Sequence, residues 1–205
     1  GSINLDHHVN IDGIDWIKLE QSIKTSVRFL DDVIESNQFP LPKLREVNLA
    51  TRRIGLGVMG WADALLRLSI PYDSQEALTL ADEIGKFIND TAWNASADLA
   101  QERGAFPEYS ASGLKERGMP PVRNSSVITI APTGTISRLA ECSSGIEPHF
   151  ALAWWSNVLW KDHEGTATRL LDAPVSVRET LRTYLDSEEK VTEILELIAD
   201  NPQDA

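Results

Sequence analysis

Cysteine is almost missing from this chain of 205 residues, which holds a single one. One thiol closes no intrachain disulfide and builds no thiolate metal cage, so disulfide-stapled scaffolds and cysteine metal sites are set aside. Positive charge is also scarce, with 19 Lys and Arg against 31 Asp and Glu and a net charge of -12. That excess of acid opposes general binding to the phosphate backbone of nucleic acids. No run approaches the roughly 18 to 20 apolar residues of a membrane span, and no basic-then-apolar N-terminal stretch reads as a secretory signal. The reading is a cytoplasmic protein with neither membrane nor nucleic acid as partner. What is present is a hydrophobic content of 42%, enough over this length for a packed core.

Helical periodicity dominates. GSINL reads as a short strand, and DHHVNIDGID as a solvated turn. Trp16, Leu19, Ile23, Val27, Leu30 and Ile34 then fall on one helical face, with Asp15 as cap and an end near Ser36-Asn37 ahead of Pro40 and Pro42. Residues 43–68 read as mainly helical with a break at glycines 55, 57 and 60. Asp73 and Glu76 form a capping box for a long helix carrying Leu78, Ala81, Ile84, Ile88, Ala92, Ala95 and Leu99, which Gly104 stops after Arg103. Residues 105–123 read as a loop with one short helix. The period then changes, because the β-branched run Ser125 to Ala131 has the character of a strand buried on both faces. After the aromatic stretch Phe150 to Trp160, helices are expected over His163 to Leu171, Val175 to Leu185 and Glu188 to Ala199, the last with Asp186 and Glu189 as a capping box. Two strand candidates are too few for an ordinary sheet. Either partner strands lie elsewhere or the chain is part of something larger.

Several motifs compete for a function. Gly55-Leu56-Gly57-Val58-Met59-Gly60 spells a dinucleotide fingerprint, but residues 47–53 before it do not read as a strand, so a close helix contact or helix break is the better reading. Asp6, His7 and His8 are adjacent, and neighbouring side chains in an extended segment diverge too far to converge on one ion, so no metal site is expected. Trp154, Trp155 and Trp160 suit a core or an interface better than a stacking platform. Cys142 reads as a structural thiol, and Glu147 as either a site carboxylate or an ordinary turn residue. The strongest local signal is Ala131-Pro132-Thr133-Gly134-Thr135-Ile136-Ser137, a strand-to-helix junction. Its glycine, helix-start N–H groups and three hydroxyls can donate to phosphate oxygens, and a plain Thr-capped junction fits the same residues.

Five ordered runs resemble the catalytic chain of ribonucleotide reductases, most closely the adenosylcobalamin-dependent class. They are Gly1 to Leu5, Val27 to Ile34, Arg53 to Gly60, Ala131 to Ser137 and Cys142 to Pro148. The resemblance is strongest over residues 1–150 and continues, less distinctively, as helices over 151–205. It implies an α/β fold, here a mainly helical fragment of the family's ten-stranded barrel with few strands, covering part of the second half-barrel as one partial domain. It implies a thiyl-radical reaction that replaces a ribose 2′-OH with hydrogen. The family's substrate phosphate loop falls on Pro132, Thr133, Gly134, Thr135 and Ile136, flanked by Ala131 and Ser137, and its Gly-rich stretch belongs to a helical region around the barrel. The family's radical cysteine and catalytic glutamate have no counterpart here, and Cys142 matches neither that cysteine nor the reducing pair. The chain on its own is therefore expected to lack catalytic residues and activity. Its expected partners are a ribonucleoside di- or triphosphate, the remainder of the barrel, and a second copy through an open strand edge. Two other readings stand beside this one: a nucleotide-binding oxidoreductase, which a helix before Gly55 would sink, and a helical interaction module or split-gene half.

Overall fold

The computed structural model describes residues 1–10, 12–161 and 167–201. Along the chain run β1 (Ser2–Asn4), β2 (Val9–Asn10), β3 (Gly13–Ile14), α1 (Trp16–Ser36), α2 (Pro42–Thr51), β4 (Gly57–Met59), α3 (Trp61–Arg67) and α4 (Gln75–Arg103). There follow α5 (Gly113–Glu116), α6 (Ile136–Leu139), β5 (Trp154–Lys161), β6 (Ala167–Asp172), α7 (Val175–Tyr184) and α8 (Glu188–Asp200). The fold is mainly helical, and the strands among the described residues close no barrel. No helix among those residues is long and apolar enough to cross a membrane. The chain divides into two compact units, one made of Gly1–Ile3, His8–Val58 and Asp73–Pro132, the other of Asn4–His7, Met59–Tyr72 and the chain from Thr133 on.

In the first unit α1 packs against α4. Asp15 caps α1 by accepting from the Lys18 N–H at 3.0 Å, and Leu19, Ile23 and Val27 form its buried stripe. Opposite them α4 buries Ile84, Ile88, Ala92, Ala95 and Leu99, while Leu78 and Ala81 are exposed. The cap of α4 is Ser74 accepting from the Ala77 N–H at 3.1 Å, rather than the expected Asp73 and Glu76 box. The fourth member of the α1 stripe is a charge, Asp31, which is fully buried. Its Oδ1 accepts from Arg52 Nε at 2.9 Å and Asn124 Nδ2 at 3.0 Å, and Arg103 Nη1 and Arg123 Nε lie 3.2 and 3.3 Å from Oδ2. Burial raises the Asp31 pKa, but the hydrogen bond and charge of Arg52, then Arg123 and Asn124, outweigh it and hold the carboxyl below its ordinary range.

The glycine-rich stretch is extended at its centre, not helical. The Leu56 N–H donates to Val127 O at 2.8 Å and the Thr129 N–H to Leu56 O at 3.1 Å, a parallel bridge between Leu56 and Ile128. On the other side Gly1 N donates to Gly55 O and the Gly57 N–H to Gly1 O, both at 2.9 Å, which is the parallel pattern again. A Cβ on Gly57 would stand 2.2 Å from the Thr129 carbonyl oxygen, so the glycine is there for close backbone approach. The run Ser125 to Ala131 was expected to be buried on both faces. It forms no regular strand but a single bridge at Ile128, and only Val127 is buried while Thr129 and Ile130 are exposed, since among the described residues it pairs on one side only and nothing covers its second face. The segment before Gly55 is α2, ending in a left-handed cap at Arg52, so the dinucleotide reading falls.

In the second unit Ala153, Ala173, Val177, Val191 and Leu195 form a core among α7, α8 and the β5–β6 hairpin. That hairpin corrects the helix expected from His163 to Leu171. Residues 162–166 lie outside the described residues, and β6 pairs antiparallel with β5, Trp155 opposite Leu171. The aromatic strand supplies a partner that overrides the local helical pattern. Trp155 is half-buried and donates to Asp200 Oδ1 at 2.8 Å, whereas Trp154 is exposed. Helix α8 is capped by Ser187, whose Oγ accepts from the Lys190 N–H, not by Asp186 and Glu189.

Gly57→Ala is expected to destabilise the protein by about 1 to 3 kcal/mol, as overpacking against fixed backbone does. Gly85→Ala, where a Cβ on helix α4 meets nothing within 4 Å, should stabilise it by about 0.5 to 1 kcal/mol. Urea unfolding of the two variants beside wild type checks both signs.

Candidate functional site

The junction from Ala131 to Ser137 ends in α6, a single turn of helix. Thr133 and Ser137 are buried, and Gly134, Thr135 and Ile136 between them are exposed. Thr133 has φ 53, in the left-handed region that β-branched residues rarely occupy. Its Oγ1 accepts from the Gly145 N–H at 2.7 Å, and its carbonyl accepts from the Ser137 N–H at 2.9 Å. Ser137 Oγ shares a hydrogen bond with Ser144 Oγ at 2.9 Å. Two of the three hydroxyls expected to face an anion therefore serve to fasten the loop to residues 144 and 145. Among the described residues, the N–H groups of Gly134, Thr135 and Ile136 find no acceptor, so three consecutive amides stand open. A Cβ on Gly134 would meet nothing within 4 Å, and its φ is not positive. The fold itself does not require glycine there.

Residues 143–145 are held from α3. Asp63, 1% exposed, accepts from the Ser143 N–H at 2.6 Å and from the Ser176 hydroxyl of α7. His149 Nε2 stands 3.1 Å from Asp63 Oδ1, misaligned for a good hydrogen bond. The Gly60 N–H donates to Ser143 O at 2.8 Å, and the Ala62 N–H to Ser143 Oγ at 3.2 Å. Burial pushes the Asp63 pKa up, but His149, Ser176 and the Ser143 N–H outweigh it and hold the carboxyl down at about 2.

The remaining candidates separate. Cys142 is half-buried, and burial, followed by the charges of Asp63 and Asp6, pushes its thiol up to about 12. A thiol raised that far is a poor nucleophile at neutral pH. The DHH turn is only partly solvated. His7 is exposed, but His8 is buried with Nε2 2.9 Å from Ser22 Oγ, and Asp6 takes a two-pronged ion pair from Arg67, which also reaches Glu179 at 2.6 Å. Glu147 is exposed on its turn. Asp63, Ser143, Ser144, Gly145 and Ser176 were not anticipated. The available signal was a lone carboxylate in the otherwise apolar Trp61-Ala62-Asp63-Ala64-Leu65, which can be buried only if it is satisfied.

The model of the ribonucleotide reductase barrel domain matches residues 1–120 and 111–197. The chain belongs to the ribonucleotide reductase barrel-domain family. It is 46% identical over 199 residues to a vitamin B12-dependent ribonucleoside-diphosphate reductase of Thermoplasma acidophilum, covering 96% of this chain and 25% of that protein. It is 49% identical over 154 residues to the protein of the same name from Mycobacterium tuberculosis (strain CDC 1551 / Oshkosh), covering 75% and 22%. Among solved structures it resembles the alpha subunit of the Actinobacillus ureae class Id ribonucleotide reductase, with TM-score 0.64 and 27% identity over 95% of this chain and 33% of that one. The chain thus spans about a quarter of the length of the curated relatives it matches.

Because the Asp63 carboxyl falls from its ordinary 3.8 to about 2, its contribution is full above pH 4 and lost as the pH drops towards 2. The wild type should exceed Asp63→Asn by about 2 kcal/mol more at pH 5 than at pH 2, read from urea midpoints across that range. Cys142 should react with iodoacetamide at pH 8 at least about 100-fold more slowly than a free thiol, the rate recovering in urea.

Proposed function

We propose that this chain is the part of a ribonucleotide reductase catalytic subunit that holds the substrate's phosphates, through Pro132, Thr133, Gly134, Thr135 and Ile136, with Ala131 and Ser137 at its flanks. The observation that carries the reading is the open turn of N–H groups at Gly134, Thr135 and Ile136, pinned between two buried hydroxyl residues. Successive amides without acceptors attract anion oxygens, and a glycine that the fold does not need leaves room for a ligand to approach. Neutral donors suffice. The relatives' names give ribonucleoside diphosphates as their substrates, and we carry that class to this chain in preference to triphosphates.

The full enzyme would replace the ribose 2′-OH with hydrogen by thiyl-radical chemistry. This chain would contribute binding and orientation, and be inactive alone. Its one cysteine is held protonated between carboxylates and has no second thiol to pair with. Adenosylcobalamin is the cofactor that the relatives' names imply for the full enzyme, where it would start the radical reaction. Among the described residues the histidines do not fit it by themselves: His8 and His149 stand against Ser22 and Asp63, and His7 lies on an exposed turn. We place its site in the remainder of the subunit. That remainder, or a second copy, would also pair the one-sided segment ending in the exposed Ile130.

Calorimetric titration of the chain with adenosine 5′-diphosphate tests the reading, alongside Gly134→Trp, at a position where a Cβ meets nothing within 4 Å, with circular dichroism to show that the variant is folded. Binding by wild type and loss of at least about tenfold in the variant are expected. Equal affinities would remove the loop from the site, and no binding by the folded wild type would remove the preformed phosphate site.

A further inference from the structure

Asp63 lies on α3, and its partners Ser143, Ser176 and His149 are all outside residues 131–137. A continuous path nevertheless runs from it to both ends of the open amide turn. Asp63 Oδ2 fixes the Ser143 N–H at 2.6 Å, while the Gly60 and Ala62 N–H groups fix the Ser143 carbonyl and hydroxyl. The next residue, Ser144, holds Ser137 through the two hydroxyls at 2.9 Å. The one after it, Gly145, holds Thr133 through its N–H at 2.7 Å. Three consecutive residues thus take one grip on α3 and one on each flank of Gly134-Thr135-Ile136. Asp63, Thr133, Ser137 and Ser143 are buried and Ser144 is half-buried, so water has little access to these bonds. The grip also accounts for the left-handed Thr133, since such a conformation persists only where its surroundings over-determine it.

We infer that Asp63 is a positioning residue for the phosphate loop: through Ser143, Ser144 and Gly145 it sets the spacing of the three open N–H groups and so governs nucleotide affinity without touching the nucleotide. The inference rests on the phosphate reading of the loop. A carboxylate suits the position because it accepts from a backbone N–H and a hydroxyl at once beside an imidazole. An apolar side chain there would strand the Ser143 N–H without an acceptor.

The test compares wild type, Asp63→Asn and Asp63→Ala by calorimetry with adenosine 5′-diphosphate and by NMR amide exchange at Gly145. Asp63→Asn keeps an oxygen for the Ser143 N–H and should bind within about threefold of wild type. Asp63→Ala should bind about tenfold more weakly and exchange the Gly145 N–H at least about tenfold faster. Rescue by Asn separates positioning from charge. Wild-type affinity or unchanged Gly145 exchange in a folded Asp63→Ala overturns the role of Asp63 and leaves the phosphate site standing. No binding by the folded wild type overturns the phosphate reading itself and the affinity claim with it. If Asp63→Ala does not fold, Ser144→Ala cuts the downstream link at a half-buried hydroxyl. It should cost about threefold in affinity and speed Ser137 exchange, and the absence of both effects overturns the path.

Discussion

A carboxylate taken out of water has to be surrounded by donors or take up a proton. Among the described residues, both units of this protein meet that constraint. In the first, Asp31 occupies the position on α1 where the stripe Leu19, Ile23, Val27 calls for another aliphatic residue, and its two oxygens face Arg52, Asn124, Arg103 and Arg123. Those donors come from the end of α2, the end of α4 and the approach to the Val127 segment. In the second, Asp63 gathers the 143–145 loop and α7 onto α3. Removing a partner from either carboxylate leaves a buried charge, which is far more damaging than losing an exposed ion pair.

The second constraint is the absence of side chains at Gly55 and Gly57. Leu56 has an extended neighbour on either side, Gly1 and Ile128, and a Cβ at either glycine would strike Thr129. Parallel strands are ordinarily buried on both faces and flanked on both sides. Here Thr129 and Ile130 face solvent, and among the described residues no further strand pairs with this short parallel piece. A chain that spans about a quarter of its relatives has this character if it contributes strands to a sheet that other segments complete.

Most helices were legible because burial on one face writes itself into a 3.6-residue period: α1, α4, α7 and α8 stand within a residue or two of where their leucines, valines and caps place them. What was not legible depended on partners distant in sequence. The segment from Ala167 to Asp172 carries leucines that suit a helix equally well, and only the facing Trp154 to Lys161 strand makes it extended. Asp31 is indistinguishable in sequence from its half-buried neighbour Asp32 until Arg52 and Asn124 are brought to it. The candidate loop was legible as a segment but not in its division of labour. Thr133 and Ser137 look like anion donors, yet they are held by Gly145 and Ser144, 12 and 7 positions on.

That division of labour bears on how a chain with a net charge of -12 would receive a polyanion. A lysine or arginine in the loop would meet competing carboxylates, as Arg67 and Arg52 do, each pairing with two. Backbone N–H groups avoid that competition, because they carry no net charge to be neutralised and their directions are set by the chain. Their weakness is that a four-residue helix and an exposed glycine do little to fix those directions. The fixing must come from outside the turn, and here it comes from buried hydroxyls on both sides of it. Affinity at such a site is governed less by the groups that touch the ligand than by the buried bonds that hold them in register.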